Sequence, residues 1–290
     1  MIVAQALLPL FLLSGCLWIT DDAIDAKLGP VTISAGTFEM GCTEGQEECD
    51  EDETLHTVTL THDYVVGETE VTQEAFEAAM GYNPSAFSGK LRPVEQVTWD
   101  EAAAYANEMS TMESLELCYS CSGSGFDIAC ITVSEEIYEC EGYRLLTEAE
   151  WEGAARCGED TLYSGSDRLA QVGWYDDNGD GFGSTEVVAK LQPNACGLYD
   201  MSGNVFEWTA DWYGPYTGDE GYDSDDDSVT DPIGVSEAYL EEYLPDETPA
   251  RVQRGGAAAN EARELRVAYR FWNDDGAGSF LGFRLGRSVF

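Results

Sequence analysis

The chain has 290 residues, with 14 basic against 56 acidic side chains and a formal charge of −42. Hydrophobic residues make up 43% of it and aromatics 11%, more apolar content than a disordered acidic polymer carries. Fourteen basic residues cannot supply the Lys/Arg surface that phosphate binding needs, so no nucleic-acid partner is expected. The charge favours cations, with a solvated acidic surface as the simpler account of its bulk.

Ile2 to Leu13 is almost continuously apolar and runs into Ser14-Gly15-Cys16. That stretch is shorter than the roughly 20 residues a spanning helix needs. It is similar to a bacterial lipoprotein signal, although Met1-Ile2-Val3 lacks the customary Lys or Arg. The resemblance implies a signal peptide over 1–15, lipidation at Cys16 and an acidic tether over 16–30. The folded domain would then be 31–290, in the bacterial cell envelope and attached to the membrane through lipid only. Leu17 after the cysteine is compatible with outer-membrane sorting.

Val31 to Met40 alternates up to Gly41 and predicts a strand; Val58 to Val66 predicts the next. His56 and His62 lie in one alternating run, about 20 Å apart at strand rise. They cannot share a metal, and they read as surface histidines. Thr72 caps a helix over Gln73 to Met80 that Gly81 closes. Thr98-x-x-Glu101 opens a second helix with an apolar stripe of Ala102, Tyr105, Ala106 and Met109. Residues 113–142 are Gly/Ser/Cys-rich, an irregular stapled insertion. Thr147-x-x-Glu150 opens a third helix, through Trp151 and Ala154 to Gly158. Beyond residue 160 the chain is rich in Gly, Asp and aromatics, with an acidic loop over 218–231 and an acidic linker over 234–250. The pattern predicts a single loop-rich α+β domain.

Apart from Cys16 there are eight cysteines, an even number suited to an oxidising compartment. Cys42 and Cys49 bracket a short acidic loop and are expected to pair. Cys118, Cys121, Cys130 and Cys140 form a cluster, and Cys157 and Cys196 remain. A zinc site on the cluster is the rival, but its second pair is too widely spaced for a zinc ribbon. Disulfides are favoured, with their connectivity left open.

Asp176, Asn178 and Asp180 alternate before Gly181 like the first half of a calcium loop. Val187 stands where an EF-hand would close on an acid, so this is no EF-hand. Asp200 and Glu207 flank Gly203, a second oxygen-rich turn.

The stretch Gly197-Leu198-Tyr199-Asp200-Met201-Ser202-Gly203-Asn204-Val205-Phe206-Glu207-Trp208 resembles the signature of the sulfatase-modifying-factor family, the formylglycine-generating enzymes and their relatives. Gly36 to Gly41, Glu70-Val71-Thr72, Pro93 to Trp99, Tyr143 to Trp151, Arg254-Gly255-Gly256, Arg266-x-Ala268-x-Arg270 and Gly282-Phe283-Arg284 follow in the family's order. Leu146 and Phe206 depart from its usual proline and tryptophan. The resemblance implies an irregular disulfide-stapled α+β fold related to C-type lectin-like folds and braced by calcium. One calcium would be held by Asp200 and Glu207 side chains with the Gly203 and Val205 carbonyls. A second would use Asp180 and the Phe182 carbonyl, with Gln171 and Val172 as tentative partners.

Active members of the family resemble copper oxidases: two thiolates bind Cu(I), and O₂ converts a sulfatase cysteine to formylglycine. Here those two positions hold Asn260 and Leu265, and the preceding serine is Ala257. Phe280 stands where an asparagine is often found before Gly-Phe-Arg. An amide and an alkyl group cannot supply two soft sulfur donors, so copper is not expected. The implied protein is a calcium-stabilised pseudoenzyme, a binding or scaffold module for a peptide, a glycan or another envelope protein. The aromatic surface around Trp212, Tyr213, Tyr216 and Trp272 is where such a partner is expected. The alternative is a formylglycine-generating oxidase working through Cys157 or Cys196.

Overall fold

The computed structural model describes residues 29–43, 46–133, 137–179, 183–216, 228–243, 248–274 and 276–290. The expected signal peptide, Cys16 and the expected tether up to residue 28 lie outside the described residues, as do Asp180 and Phe182. Among the described residues no helix is long and apolar enough to cross a membrane.

The expected first strand is two: β1 (Pro30–Ile33) and β2 (Gly36–Met40). The second also splits, into β3 (His56–Leu60) and β4 (Asp63–Gly67). The splits have one cause. β1 pairs with β4, whereas β2 pairs with β3, so the chain changes sheets twice. Asp63 Oδ1 accepts from the Ala35 N–H at 2.7 Å and ties the two crossing points. β1 begins at Pro30, inside the segment expected to be tether.

α1 (Gln73–Met80) is capped by the Thr72 hydroxyl and closed by left-handed Gly81. α2 (Trp99–Met112) and α3 (Glu148–Arg156) both open with complete capping boxes. α3 ends at Arg156, two residues before the expected Gly158, and its cap residue Cys157 is itself left-handed. The 113–142 insertion contains a hairpin of β5 (Tyr119–Ser122) and β6 (Ala129–Thr132). β7 (Arg144–Leu145), α4 (Leu169–Val172), β8 (Phe206–Trp212) and β9 (Ser228–Thr230) follow. The expected linker contains α5 (Glu237–Tyr243), whose Leu240 is buried. One inward leucine on a mostly acidic turn left too little periodicity to see it. β10 (Arg251–Arg254), β11 (Arg270–Asn273), β12 (Leu281–Gly282) and β13 (Leu285–Val289) complete the fold.

These strands make sheets in the orders β1-β4-β13-β7, β11-β10-β8-β12 and β2-β3-β9, besides the β5-β6 hairpin. α2 packs Ala102, Tyr105, Ala106 and Met109 into one core cluster, and α3 packs Trp151 and Ala154 into another. All eight cysteines after Cys16 are paired: Cys42–Cys49, Cys118–Cys140, Cys121–Cys130 and Cys157–Cys196. The cysteine cluster is thus two nested disulfides.

His56 is only 3% exposed, against the expectation of a surface residue. It shares the inward face of β3 with Val58 and Leu60, and its ring packs 4.5 Å from that of Tyr216. His62 lies past the strand end, its side chain 10% exposed, between Glu150 and Asp231.

Candidate functional site

Alternate residues of α3 present three buried carboxylates, and each is locked to arginines from other elements. Glu148 accepts from Arg270 of β11 at 2.7 and 2.8 Å and from Arg254 of β10 at 3.0 Å. Glu150 accepts from Arg144 of β7 at 2.6 and 2.7 Å. Glu152 accepts from Arg156 at 2.7 and 2.9 Å, from the Gly41 N–H at 2.8 Å and from Arg254. Burial alone would raise the Glu150 carboxyl, but the Arg144 guanidinium outweighs it and holds the group at about 2. This frame fixes α3 beneath the loop that precedes β8.

Asp200 to Val205 form that loop and Phe206-Glu207 open β8, all of them buried. Glu207 accepts from Arg284 on both oxygens, each at 2.7 Å, and from the Trp151 indole at 2.8 Å. Glu70 accepts from the Asn204 amide at 2.8 Å and the Val205 N–H at 3.1 Å. Asp200 Oδ2 accepts from the Ala189 N–H at 2.7 Å, while its Oδ1 is buried with no hydrogen-bond partner. Burial pushes Asp200 up to about 6. Burial, then the charges of Asp200 and Glu207, push Glu70 well above the carboxylate range.

Three buried carboxylates thus face one guanidinium. The surplus charge and the orphaned Asp200 oxygen both fit a hard cation, which takes carboxylate and backbone carbonyl oxygens together. Glu207 fits less simply, because Arg284 and Trp151 already hold both its oxygens. Of the tentative partners, Gln171 accepts from Ser166 through its side chain and from the Gln192 N–H through its carbonyl; Val172 is buried. Asn178 is a turn staple: its Oδ1 accepts from the Tyr175 N–H at 2.8 Å, and its amide donates to the Gly173 carbonyl at 2.8 Å. Among the described residues, the one group of three acid, thiol or imidazole side chains within ligating distance is Cys42, Cys49 and Glu53. Its cysteines are in a disulfide, and Glu53 is held by Arg266 at 2.6 and 2.7 Å.

The two expected thiol positions have different surroundings. Leu265 is fully buried and packs with Tyr163, Leu169 and Val172. Its Cγ lies 2.8 Å from where a Cβ on Gly256 would stand, and its Cδ2 equally close to one on Gly203. Both glycines have positive φ, so both strain and space exclude a side chain there. Asn260 is half-buried and accepts from the Asp176 N–H through its carbonyl. Ala257 is buried in the core of α2. Phe280 has a left-handed backbone, and its ring lies 4.9 Å from Phe87. The aromatic surface expected to carry a partner is only partly open: Tyr216 is buried, Trp212 and Tyr213 are half-buried and Trp272 is exposed.

A disulfide-stapled, loop-rich α+β domain built around the 197–208 turn defines a protein of the formylglycine-generating-enzyme type. The profile of the sulfatase-modifying factor enzyme 1-like domain matches residues 23–289. The chain belongs to that family. It is 38% identical over 184 residues to the chaperone protein LppX of Paenibacillus barcinonensis, covering 54% of this chain and 64% of that one. It is 30% identical over 209 residues to the formylglycine-generating enzyme of Thermomonospora curvata, covering 66% and 54%. The chain therefore spans less than two thirds of the length of both curated relatives. Among solved structures it resembles Treponema denticola variable protein 1, with a TM-score of 0.71 and 32% identity, covering 90% of this chain and 95% of that one.

Proposed function

We propose that this chain is an exported, lipid-anchored and calcium-stabilised member of the family that has lost the oxidase reaction and serves as a binding or scaffold module at the cell envelope. The observation that carries this reading is the fate of the thiol pair. Asn260 and Leu265 stand at its positions, Leu265 is wholly buried, and every cysteine from Cys42 onward is in a disulfide. Cu(I) coordination needs two soft anionic sulfurs, and Cys157 and Cys196, the candidates of the alternative reading, are bonded to each other. A relative named as a chaperone, beside one named as a formylglycine-generating enzyme, supports more than one use of this fold.

Calcium, when bound, would compensate the carboxylate surplus of Glu70, Asp200 and Glu207. The chain's own part is to hold those groups: Asn204 and the Val205 N–H fix Glu70, the Ala189 N–H fixes Asp200, and Arg284 with Trp151 fixes Glu207. The test titrates purified protein with Cu(I) and a cysteine-containing sulfatase-motif peptide, and records melting with and without a calcium chelator. No stoichiometric copper, no peptide oxidation and a lower melting temperature in chelator are expected. Copper binding with turnover rejects the non-oxidase reading, and an unchanged melting temperature rejects the calcium brace.

A further inference from the structure

Resting on the binding-module reading, we infer that a pocket bordered by Tyr213 and Trp272 receives the cationic head of an arginine or lysine side chain from a basic peptide. The pocket encloses about 510 Å³, within the range of small-ligand sites. Its walls are Tyr213 and Trp272, with ring centres 6.1 Å apart; Leu240, Ala250 and Pro249 line it, and Asp274 contributes a carboxylate. Trp272 is 51% exposed and its neighbour Phe271 41%, large aromatic surfaces to leave in water. Phe206, Phe271 and Trp272 stack in a row at 5.3 and 6.4 Å, which holds the indole in place before a ligand arrives.

Three observations favour a cation. Among the described residues no basic side chain lines the pocket, whereas Asp274 does, and the Tyr213 hydroxyl donates to Asp52 at 2.7 Å. Seven of the fourteen basic residues are buried arginines, so little positive charge is left at the surface of this acidic chain to oppose an approaching cation. Lastly, this end of the molecule already stacks guanidinium groups on aromatic rings. Arg251 lies 3.4 Å from the Trp212 ring centre and 4.0 Å from that of Trp99; Arg270, neutralised by Glu148, lies 5.0 Å from Tyr213. A ring face beside a carboxylate suits a cation of this kind. Among the described lining residues there is no side-chain amide or guanidinium with which to grip sugar hydroxyls.

The test is a tryptophan-fluorescence titration of the full chain with acetyl-Gly-Arg-Gly-amide and with its citrulline counterpart, which keeps shape and loses charge. The arginine peptide is expected to bind about tenfold more tightly, and more weakly as salt rises. Trp272→Ala, at an exposed position, should abolish the difference, and Asp274→Asn should weaken arginine binding severalfold; thermal melts check that both variants fold. Equal affinity for the two peptides, undiminished binding by Trp272→Ala, or displacement of the arginine peptide by a neutral oligosaccharide overturns the assignment. Failure here with no peptide oxidation leaves the non-oxidase reading standing. Oxidation of the cysteine peptide sinks that reading without touching this pocket.

Discussion

Asp211 shows how a single buried acid sets a pH dependence. It is 3% exposed, and its Oδ2 accepts from the Glu148 N–H at 2.7 Å in the first turn of α3. Burial, then the charge of Glu148, pushes its carboxyl up to about 8. The folded state therefore keeps a proton that the unfolded chain releases near pH 4, so Asp211 costs stability progressively as pH rises from about 4 to about 8. Asp211→Asn keeps an acceptor oxygen for Glu148 and removes that cost. Calorimetry should find the variant more stable at pH 8 by ~1–3 kcal/mol and unchanged at pH 4. A loss of stability at pH 8 would show that the carboxylate is favourable in place. At this scale the sequence was partly legible. Thr98, Thr147 and Thr72 announced their capping roles by spacing to local partners. His56 was misjudged although it is in phase with Val58 and Leu60, because its polarity was weighed above its register. Asp211 and Glu70 carried no local signal, since what buries them comes from distant segments.

The elements were legible wherever their partners lay close in sequence, and less so where the chain changes sheets. The first break leaves a trace, because the apolar positions shift phase from Val31, Ile33 and Ala35 to Phe38 and Met40 across Gly36-Thr37; the second leaves none, since the even positions from His56 to Val66 run on through Thr61-His62. The pairing of β1 with β4 and of β2 with β3 fixes where the chain crosses. The disulfides were legible in number and, except for Cys42–Cys49, not in partnership. Their sequence spans set an order of stabilisation. Cys157–Cys196 closes 39 residues and Cys121–Cys130 closes 9. Loop-closure entropy assigns about 4 kcal/mol to the first and about 2.5 kcal/mol to the second. Denaturant unfolding of Cys157→Ala/Cys196→Ala and Cys121→Ala/Cys130→Ala should reproduce that order. The reverse order would mean that the short hairpin is coupled to the core more tightly than its span implies.

For the molecule as a whole, the composition understated how lopsided the exterior is. Among the described residues Arg144, Arg156, Arg251, Arg254, Arg266, Arg270 and Arg284 are all buried, six of them in ion pairs that the carboxylates of α3 and of Glu53 and Glu207 complete, or stacked on tryptophan and tyrosine. The interior thus consumes half of the positive charge, and most of the acidic residues among those described are left at the surface with few counter-charges. Self-repulsion of this kind is screened by salt, with a Debye length falling from about 30 Å at 0.01 M to about 10 Å at 0.1 M. The melting temperature should therefore rise between 10 and 100 mM NaCl at pH 7, as followed by circular dichroism. A flat or falling profile would mean that the buried ion pairs, not the surface, dominate the salt response. The family frame was legible because its motifs are long and ordered; the ligand surface was less so, because its rings come from β11 and from the residue that follows β8, and its floor from the segment before β10.

The nesting of Cys121–Cys130 inside Cys118–Cys140 has a consequence for biosynthesis. Four thiols can join in three ways, and the wrong joining nearest to hand, Cys118 with Cys121, bridges two residues that belong to different rungs of the staple. Oxidative folding therefore has to resolve such misjoinings by thiol–disulfide exchange, and bulk thiol titration, which counts bonds and ignores partners, would pass a misjoined hairpin as finished protein.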